Sequence, residues 1–362
     1  MSNTEVLLLL TLLNESISIP LLEVDFGISK LKSFINKHRS NLIVIADKHT
    51  LLDCYPLIDA DLQHFIVPYG EGYKNLNSCE YIWKKLTDLD ANRKSIVLCL
   101  GGGVLCDMGA FASGCYLRGI RVVLCPTSLL AMVDASVGGK NGVNFMGFKN
   151  YIGSFKEADY TFICSDFLKT LPAKEIVNGH VEMLKHGLIA SRDHYNAVKI
   201  FFFNPKREVN QDLIAASIEI KKKHVAEDFR DLGVRKRLNY GHTIGHAIES
   251  WSLAISEENK ALSHGVSVGL GIIAESYISN KKTGLSNDDL DEIVIVLQTL
   301  VKDLENEMPN YSDIKHYLSK DKKNEDHKVN FSLLHSIGEC TENHFVDDEL
   351  IEDAMNYLLS VK

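Results

Sequence analysis

The sequence predicts an α/β domain with a parallel-sheet core, followed by a mainly α-helical domain. In the first 165 residues, short apolar runs rich in β-branched residues alternate with stretches of helical periodicity, which is typical of a parallel sheet built from crossover units. After residue 166, long helical stretches follow one another and strand-like runs almost vanish. We therefore predict two domains, residues 1–165 and residues 166–362, and the length of 362 residues is sufficient for both.

Each predicted element follows from a run of residues and its boundaries. The strands are short, β-branched and bounded by Gly, Asp or Pro. They are predicted at residues 42–46, 95–100, 121–125 and 161–164. The helices of the second domain have apolar residues at helical spacing. They are predicted at residues 175–190, 212–228, 241–251, 264–277, 288–304 and 348–359.

Composition restricts the partners and the compartment. The net charge is -9, and no Lys/Arg-rich run is interleaved with aromatic residues, which argues against nucleic acid as a partner. The apolar run at residues 6–13 is too short to span a bilayer, so we interpret it as a buried strand or hairpin and expect no membrane association. None of the eight cysteines lies in a C-x-x-C pair, which favours a reducing cytoplasm over a disulfide framework.

A glycine-rich turn follows the second predicted strand. Gly101, Gly102 and Gly103 stand between that strand and a helical stretch that contains Asp107. Backbone without Cβ atoms can approach a ligand closely, and the N–H groups at a helix start favour a pyrophosphate. The segment is not the G-x-G-x-x-G fingerprint, and taken alone a tight strand-to-helix turn explains it equally well.

A second glycine-rich segment runs from Val133 to Asn150. It contains Asp134, Lys140, Lys149 and several asparagines, a set of donors that suits phosphate and hydroxyl groups. The alternative is a solvated surface loop. Apolar residues flank the polar ones throughout the segment, so we expect a loop that is partly buried.

Two histidines at helical spacing suggest a metal or substrate site. His242 and His246 are four residues apart and therefore share one face of a helix. His264 opens a further helix, and Glu182 lies among apolar neighbours, where a lone carboxylate is costly unless it is paired or bound to metal. Two imidazoles and one carboxylate are the ligand count of a catalytic zinc with an open position. Packed core histidines are the alternative, and Thr243 rules out the H-E-x-x-H motif.

Taken together and in this order, these segments resemble the 3-dehydroquinate synthases of the sugar-phosphate cyclase family. The resemblance covers nearly the whole chain, from the region of Asp47 to Lys323. The matching segments are residues 101–107, 116–119, 133–140, 147–150, 170–172, 182–185 and 235–249, together with the histidine at 264.

The resemblance implies an NAD-binding α/β domain, a helical metal domain and an active site in the cleft between them. The implied metal ligands are Glu182, His242 and His264. The implied NAD-binding residues are Asp47, Glu71, Lys74, Gly102, Gly103, Asp107, Thr127, Lys140, Lys149 and Thr170. The implied substrate and catalytic residues are Asp134, Lys140, Asn150, Lys185, Lys221, Arg235, Asn239, His246 and Lys323, with Arg118 reaching the site of the neighbouring subunit of a homodimer.

The implied reaction converts an anionic sugar phosphate, 3-deoxy-D-arabino-heptulosonate 7-phosphate, to 3-dehydroquinate and phosphate. It uses transient oxidation by NAD, phosphate elimination, re-reduction and an intramolecular aldol closure, with Zn²⁺ or Co²⁺ as the metal. Three alternatives remain from the residues: a metal-dependent polyol dehydrogenase, another sugar-phosphate cyclase, and an inactive binding protein. The concentration of lysines in the matched segments favours an anionic substrate over a polyol, and none of the matched metal ligands is lost.

The sequence departs from the family pattern at a few positions. Cys106 replaces a usual glycine, Asn141 and Ser128 replace threonines, and Asp231 replaces a glutamate. Val266 stands where the family usually has a glutamate. Since a ligating histidine needs a partner for its second ring nitrogen, we expect Val266 to loosen the orientation of His264.

Overall fold

A computed structural model describes residues 23–58, 61–146, 148–204, 209–256, 261–302, 308–318 and 328–361, so the apolar run at residues 6–13 lies outside the described residues. The described strands are β1 Val24–Phe26, β2 Leu42–Ala46, β3 Gln63–Ile66, β4 Ile96–Gly101, β5 Arg121–Pro126, β6 Lys140–Phe145, β7 Phe148–Phe155, β8 Tyr160–Ile163, β9 Val329–Ser336 and β10 Glu339–Val346. The described helices are α1 Ile28–His38, α2 Lys48–Asp53, α3 Leu76–Asp88, α4 Gly103–Cys115, α5 Ala173–Ala190, α6 Arg192–Phe203, α7 Gln211–Glu227, α8 His242–Ile255, α9 His264–Lys282, α10 Asn287–Lys302, α11 Tyr311–Leu318 and α12 Asp348–Ser360.

A six-stranded parallel sheet forms the core of the first part. Its strand order is β1-β8-β5-β4-β2-β3. The central strands β2, β4 and β5 are continuous apolar runs buried almost along their whole lengths, as expected when helices cover both faces of a parallel sheet. The predicted fold class and the four predicted strands are confirmed, with boundaries shifted by one residue at most.

The chain changes direction across this sheet between β2 and β4. These two strands are neighbours, but β3 lies beyond β2 on one side and β5 lies beyond β4 on the other. Such a reversal opens a crevice at the carboxyl ends of the two strands, and ligands of open α/β sheets bind there. Ala46 pairs with Leu100, so Asp47 and Gly101 meet at the mouth of this crevice.

The glycine-rich segment after Val133 differs from the expected loop. It forms a short π-helical turn, Ala131–Ala135, and then an antiparallel hairpin of β6 and β7. Gly142 and Gly153 face each other across the hairpin, and a Cβ on Gly142 would lie 2.8 Å from the Ile152 carbonyl oxygen. The glycines therefore allow two strands to approach closely, which is a different role from loop flexibility.

The second part is mainly helical, as predicted, but it also contains the antiparallel pair β9 and β10. β10 reads Glu-Cys-Thr-Glu-Asn-His-Phe-Val and has few apolar residues, so its sequence carries no strand signal. Among the described residues, none of the helices is both long enough and apolar enough to cross a membrane.

Glycines bring the helices of the second part into backbone contact. A Cβ on Gly271 of α9 would overlap the Gly241 carbonyl oxygen and lie 2.6 Å from the Gly245 nitrogen of α8. A Cβ on Gly265 would lie 2.7 Å from the side-chain oxygen of Asn178 on α5. Because these contacts need glycine, the starts of α8 and α9 are held against each other and against α5. The same three helices carry the predicted metal ligands.

Candidate active site

Three imidazoles converge where α8 and α9 begin. The ligating atoms of His242, His246 and His264 all lie within 4.8 Å of one another. The ring centroids of His242 and His264 are 5.6 Å apart, and those of His242 and His246 are 5.1 Å apart. Glu182 approaches from α5 and places its Oε2 atom 3.7 Å from Nε2 of His242. The structure thus brings the three predicted metal ligands together, with His246 beside them.

The chemistry of these donors fits a divalent metal. Nδ1 of His242 lies 3.1 Å from the carbonyl oxygen of Tyr240, so this nitrogen donates its hydrogen and Nε2 carries the lone pair. That lone pair faces the Oε2 atom of Glu182, so two acceptors confront each other with no hydrogen between them. Two ligands of one tetrahedral zinc are separated by about 3.4 Å, given bonds of about 2.0–2.1 Å. A cation between these atoms would satisfy both.

Glu182 is held ionised by its neighbours. Its side chain is 2% exposed, and its Oε1 atom accepts from the Lys185 ammonium, which also donates to the Leu238 carbonyl oxygen at 2.5 Å. Burial alone would raise the pKa of Glu182, but Lys185, His186 and His242 bring it well below its ordinary value. A carboxylate in this state is ready to act as a ligand.

His186 is a neighbour of Glu182 that sequence reasoning missed. Its Nε2 lies 3.4 Å from Oε1 of Glu182, and its Nδ1 contacts the Ser217 hydroxyl at 2.7 Å. Asp134, Glu182 and His186 form a second group with metal-ligand spacing. Lys185 and Lys221 already donate into this group, so its negative charge is balanced by ammonium groups instead of a metal.

Three further predicted site residues, Asp134, Lys221 and Arg235, are held by hydrogen bonds. Lys221 of α7 donates to both the carboxylate and the carbonyl oxygen of Asp134, the latter at 2.6 Å. Burial would raise the pKa of Asp134, but Lys221 lowers it to about 2. Arg235 is buried and donates to the carbonyl oxygens of Gly138 at 2.8 Å and Phe229 at 2.6 Å.

Lys140 pairs with Asp231, one of the departures from the family pattern. Nζ of Lys140 donates to Oδ2 of Asp231 at 2.6 Å. Burial lowers the pKa of Lys140, and Asp231 opposes this effect. The shorter aspartate therefore still provides a carboxylate partner for this lysine.

Several of the residues that are predicted to hold NAD lie close to Lys74. Its Nζ donates to Oδ2 of Asp107 and to Oδ1 of Asn150, both at 2.6 Å. Burial raises the pKa of Asp107, against the opposing effect of Lys74. Asn144, which sequence reasoning did not select, donates to Oε1 of Glu71 at 2.9 Å and thereby fastens the hairpin to this cluster.

The remaining NAD-side residues lie at the crevice or near the sheet edge. Asp47 accepts from the backbone nitrogens of His49 at 2.8 Å and Thr50 at 3.0 Å, so its carboxylate caps α2. Gly102 is the N-cap of α4 and Gly103 its first residue. The Thr127 nitrogen donates to the Gly101 carbonyl oxygen at 3.0 Å. Thr170 ends the 3₁₀ segment Ser165–Thr170 and is exposed.

Three predicted residues stand apart from these clusters. Arg118 is exposed in a turn where Leu117 and Arg118 adopt φ values of 51° and 68°. Nδ2 of Asn239 is buried and has no hydrogen-bond partner within the described part of the chain, so it can donate to a ligand. Lys323 lies outside the described residues.

Two glutamates complete the site, and neither was predicted to take part in it. Glu275 of α9 is buried and accepts from the backbone nitrogens of Gly241 at 2.7 Å and Ile244 at 2.9 Å. It caps α8, whose N-cap glycine has no side chain to do so. A sequence signal existed, because Glu275 lies among apolar neighbours as Glu182 does.

Glu249 is the other glutamate. Its Oε2 atom lies 3.4 Å from Nδ1 of His264, and its Oε1 atom accepts a hydrogen bond from Nζ of Lys149 at 2.8 Å. Burial would raise its pKa, but His264 and Lys149 lower it. Val266 packs against the apolar core, and its side chain has no hydrogen-bonding group to offer His264. Glu249 therefore supplies the partner for His264 that Val266 cannot provide.

Fold and site together define a class of protein: an enzyme with a ligand-binding crevice on a parallel sheet and a metal-type cluster on helices. A solved structure of this class is ValA, a 2-epi-5-epi-valiolone synthase from Streptomyces hygroscopicus with NAD⁺ and Zn²⁺ bound. It superposes with a TM-score of 0.83 at 22% identity and covers 94% of this chain and 97% of its own. This chain thus has the fold of the sugar-phosphate cyclases.

Sequence comparisons identify the family within this class. The model described as 3-dehydroquinate synthase N-terminal matches residues 64–178, and the model described as 3-dehydroquinate synthase C-terminal matches residues 179–324. The 3-dehydroquinate synthase of Parabacteroides distasonis is 36% identical over 91% of this chain and 94% of its own length. That of Pyrococcus furiosus is 42% identical over 64% of this chain and 67% of its own. The chain belongs to the 3-dehydroquinate synthase family and is an enzyme of that type, a phosphate-eliminating lyase.

Proposed function

We propose that this enzyme converts 3-deoxy-D-arabino-heptulosonate 7-phosphate to 3-dehydroquinate and phosphate, with NAD and one divalent metal as cofactors. The observation that supports it most directly is the cluster of Glu182, His242 and His264 beside Lys185, in which unshared electron pairs face one another. Family membership supports the same reaction. The solved relative with NAD⁺ and Zn²⁺ has the same fold, and this agrees with the proposed cofactors.

Glu182, His242 and His264 would hold Zn²⁺ or Co²⁺, which would polarise a substrate hydroxyl, and bound NAD would supply reversible hydride transfer at the carbon that carries this hydroxyl. The crevice at the ends of β2 and β4 suits the nucleotide because α4 begins there with glycines and free N–H groups. Asp47, Lys74 and Asp107 lie around the start of α4, and we propose that they orient the nucleotide.

The side chains of the enzyme would bind and orient the anionic substrate. Lys140, Asn150, Asn239 and Lys323 are the proposed phosphate ligands, and the buried Nδ2 of Asn239 supports its share in this task. Arg235 and Lys221 are the proposed carboxylate ligands.

His246 lies beside the cluster, and an imidazole there is suited to move a proton near neutral pH. Lys185 would neutralise charge beside the reacting hydroxyl, since its ammonium already contacts Glu182.

We further propose the two-domain division at residues 165 and 166, a homodimer in which Arg118 acts in the partner's site, and a cytoplasmic location. The exposure of Arg118 supports its availability to a second subunit. The eight cysteines are all free thiols, which agrees with a reducing compartment.

The test measures phosphate release from the heptulosonate phosphate with NAD far below the substrate concentration. We expect many phosphates per NAD, no growth of NADH absorbance, loss of activity with a chelator and recovery with Zn²⁺. His335→Ala, in an exposed position on β9, is the matched control for histidine variants of the site. NADH accumulating one for one with product, from this substrate or from a polyol, would reject the proposal in favour of a dehydrogenase.

A further inference from the structure

Glu249 joins a metal ligand to the nucleotide side of the molecule. It lies on α8, seven residues after His242, and its side chain is 8% exposed. Its Oε2 atom is 3.4 Å from Nδ1 of His264, and its Oε1 atom accepts from Nζ of Lys149 at 2.8 Å. Lys149 belongs to β7, one hundred residues earlier in the chain.

The geometry determines which nitrogen of His264 can bind metal. A carboxylate accepts only, so Nδ1 of His264 must carry the hydrogen that points to Glu249. Nε2 then has the lone pair and is the nitrogen available to a metal. An imidazole held in this way keeps both its tautomer and its ring plane, and the partner carboxylate also increases the basicity of the ligand nitrogen.

Lys149 fixes the carboxylate in its turn. Because one oxygen of Glu249 is occupied by the ammonium, the other is directed at His264 and the carboxylate cannot rotate freely. The charge of Lys149 also offsets the cost of burying the Glu249 anion.

We propose that Glu249 is a positioning residue, which orients His264 for the metal and is itself held by Lys149. This inference rests on the proposed function only in taking His264 as a metal ligand. It assigns a role to a residue that ends the matched segment 235–249 but was not among the predicted site residues.

The experiment measures metal affinity by competition with a chromophoric chelator, using Zn²⁺ and the purified full chain without substrate. Glu249→Gln keeps the shape but removes the charge, and we expect its affinity for Zn²⁺ to fall about 10- to 100-fold. The visible absorption of the Co²⁺-loaded variant should also change, since the ligand field of a reoriented His264 differs. Glu292→Gln is the matched control, because Glu292 also bridges two cations, Arg192 and Lys199, on another helix, α6.

A second variant covers the case in which Glu249→Gln fails to fold. Glu249→Asp keeps the charge but withdraws it from His264, so its affinity should lie between those of the native protein and Glu249→Gln. Native affinity and an unchanged Co²⁺ spectrum in whichever variant folds would overturn the proposal. If the native chain itself bound no stoichiometric metal, the proposed metal site would be wrong. That result differs from native affinity in a Glu249 variant, which would reject only the positioning role.

Discussion

Five lysines of the candidate site, all within the described part of the chain, have an acidic partner before any substrate arrives. The pairs are Lys74 with Asp107, Lys140 with Asp231, Lys149 with Glu249, Lys185 with Glu182, and Lys221 with Asp134. The partners hold the ammonium groups in place, and for the buried Lys74, Lys185 and Lys221 they also offset the cost of burial. An incoming phosphate or carboxylate would then exchange with a carboxylate that is already there, so little reorganisation of the lysines is needed.

His242 and His246 are predicted to behave differently when they are removed. His242→Ala should lose most of the bound metal, because it deletes a ligand that faces Glu182. His246→Ala should retain stoichiometric metal and lose activity, because His246 is proposed to move a proton. Elemental analysis and the phosphate assay separate these effects. Full metal content in His242→Ala would contradict the ligand assignment.

The sequence predicted residues whose chemistry stands out against their surroundings. His242 was found because it shares a helix face with His246, His264 because it opens the next helix, and Glu182 because a carboxylate among apolar neighbours needs an explanation. His186 contacts Glu182 within α5, at an i,i+4 spacing that the sequence itself displays. By contrast, Glu275 caps α8 from α9, and His186 reaches Ser217 of α7, through contacts between helices. Sequence spacing within one helix does not reveal a partner on another, so these roles needed the structure.

At the scale of the elements, the close contact of α8 and α9 holds two of the proposed metal ligands near each other. Gly271→Ala should separate the two helices, because its Cβ would overlap the Gly241 carbonyl oxygen. We expect a destabilisation of about 1–3 kcal/mol, typical of overpacking, together with weaker Zn²⁺ binding. Urea unfolding and chelator competition measure the two effects.

Gly114→Ala is the control for this substitution. It lies in α4, and its Cβ would meet nothing closer than 3.5 Å. Alanine is the better helix former, so this variant should be neutral or slightly stabilised. An equal loss of stability in both variants would mean that the contact between α8 and α9 contributes no more to the free energy of unfolding than an ordinary helix position does.

The hairpin of β6 and β7 shows where prediction from sequence stops at this scale. Its glycines were interpreted as a flexible loop, whereas they permit two strands to lie close together. The parallel sheet was predictable because each central strand is a continuous apolar run. A hairpin whose outer face is largely exposed has no such run, and pairing with a distant segment decides its structure.

For the whole molecule, we predict a loss of stability in acid through buried histidines. Burial lowers the pKa of His180 and that of His194 to about 4. A depressed folded-state pKa means that the unfolded chain takes up protons first. The stabilisation is therefore fully present above about pH 6.5 and is lost as the pH falls towards 4.

His180→Gln should flatten this dependence by on the order of 2 kcal/mol between pH 6.5 and 4. The measurement is the free energy of urea unfolding against pH. His335→Gln, on the surface of β9, should keep the native slope. If His180→Gln also kept it, the folded protein would not be excluding a proton at this position.

The dimer prediction also concerns the whole molecule. Arg118→Ala and Lys185→Ala chains should each have little activity, and their mixture should regain part of it if Arg118 serves the partner's site. Up to about a quarter of the native activity is expected from random mixing into heterodimers with one intact site. Subunit exchange without any recovery would place Arg118 in the site of its own chain or outside catalysis.

The paired lysines have a kinetic consequence. Because each of these ammonium groups is paired with a carboxylate, the pairs produce only a weak electrostatic potential in the solvent. The chain as a whole carries a net charge of -9. An anionic substrate is thus repelled at long range and attracted only on contact. Added salt screens the repulsion, so the association rate constant should increase with ionic strength, opposite to the behaviour of enzymes that steer anions with a positive surface.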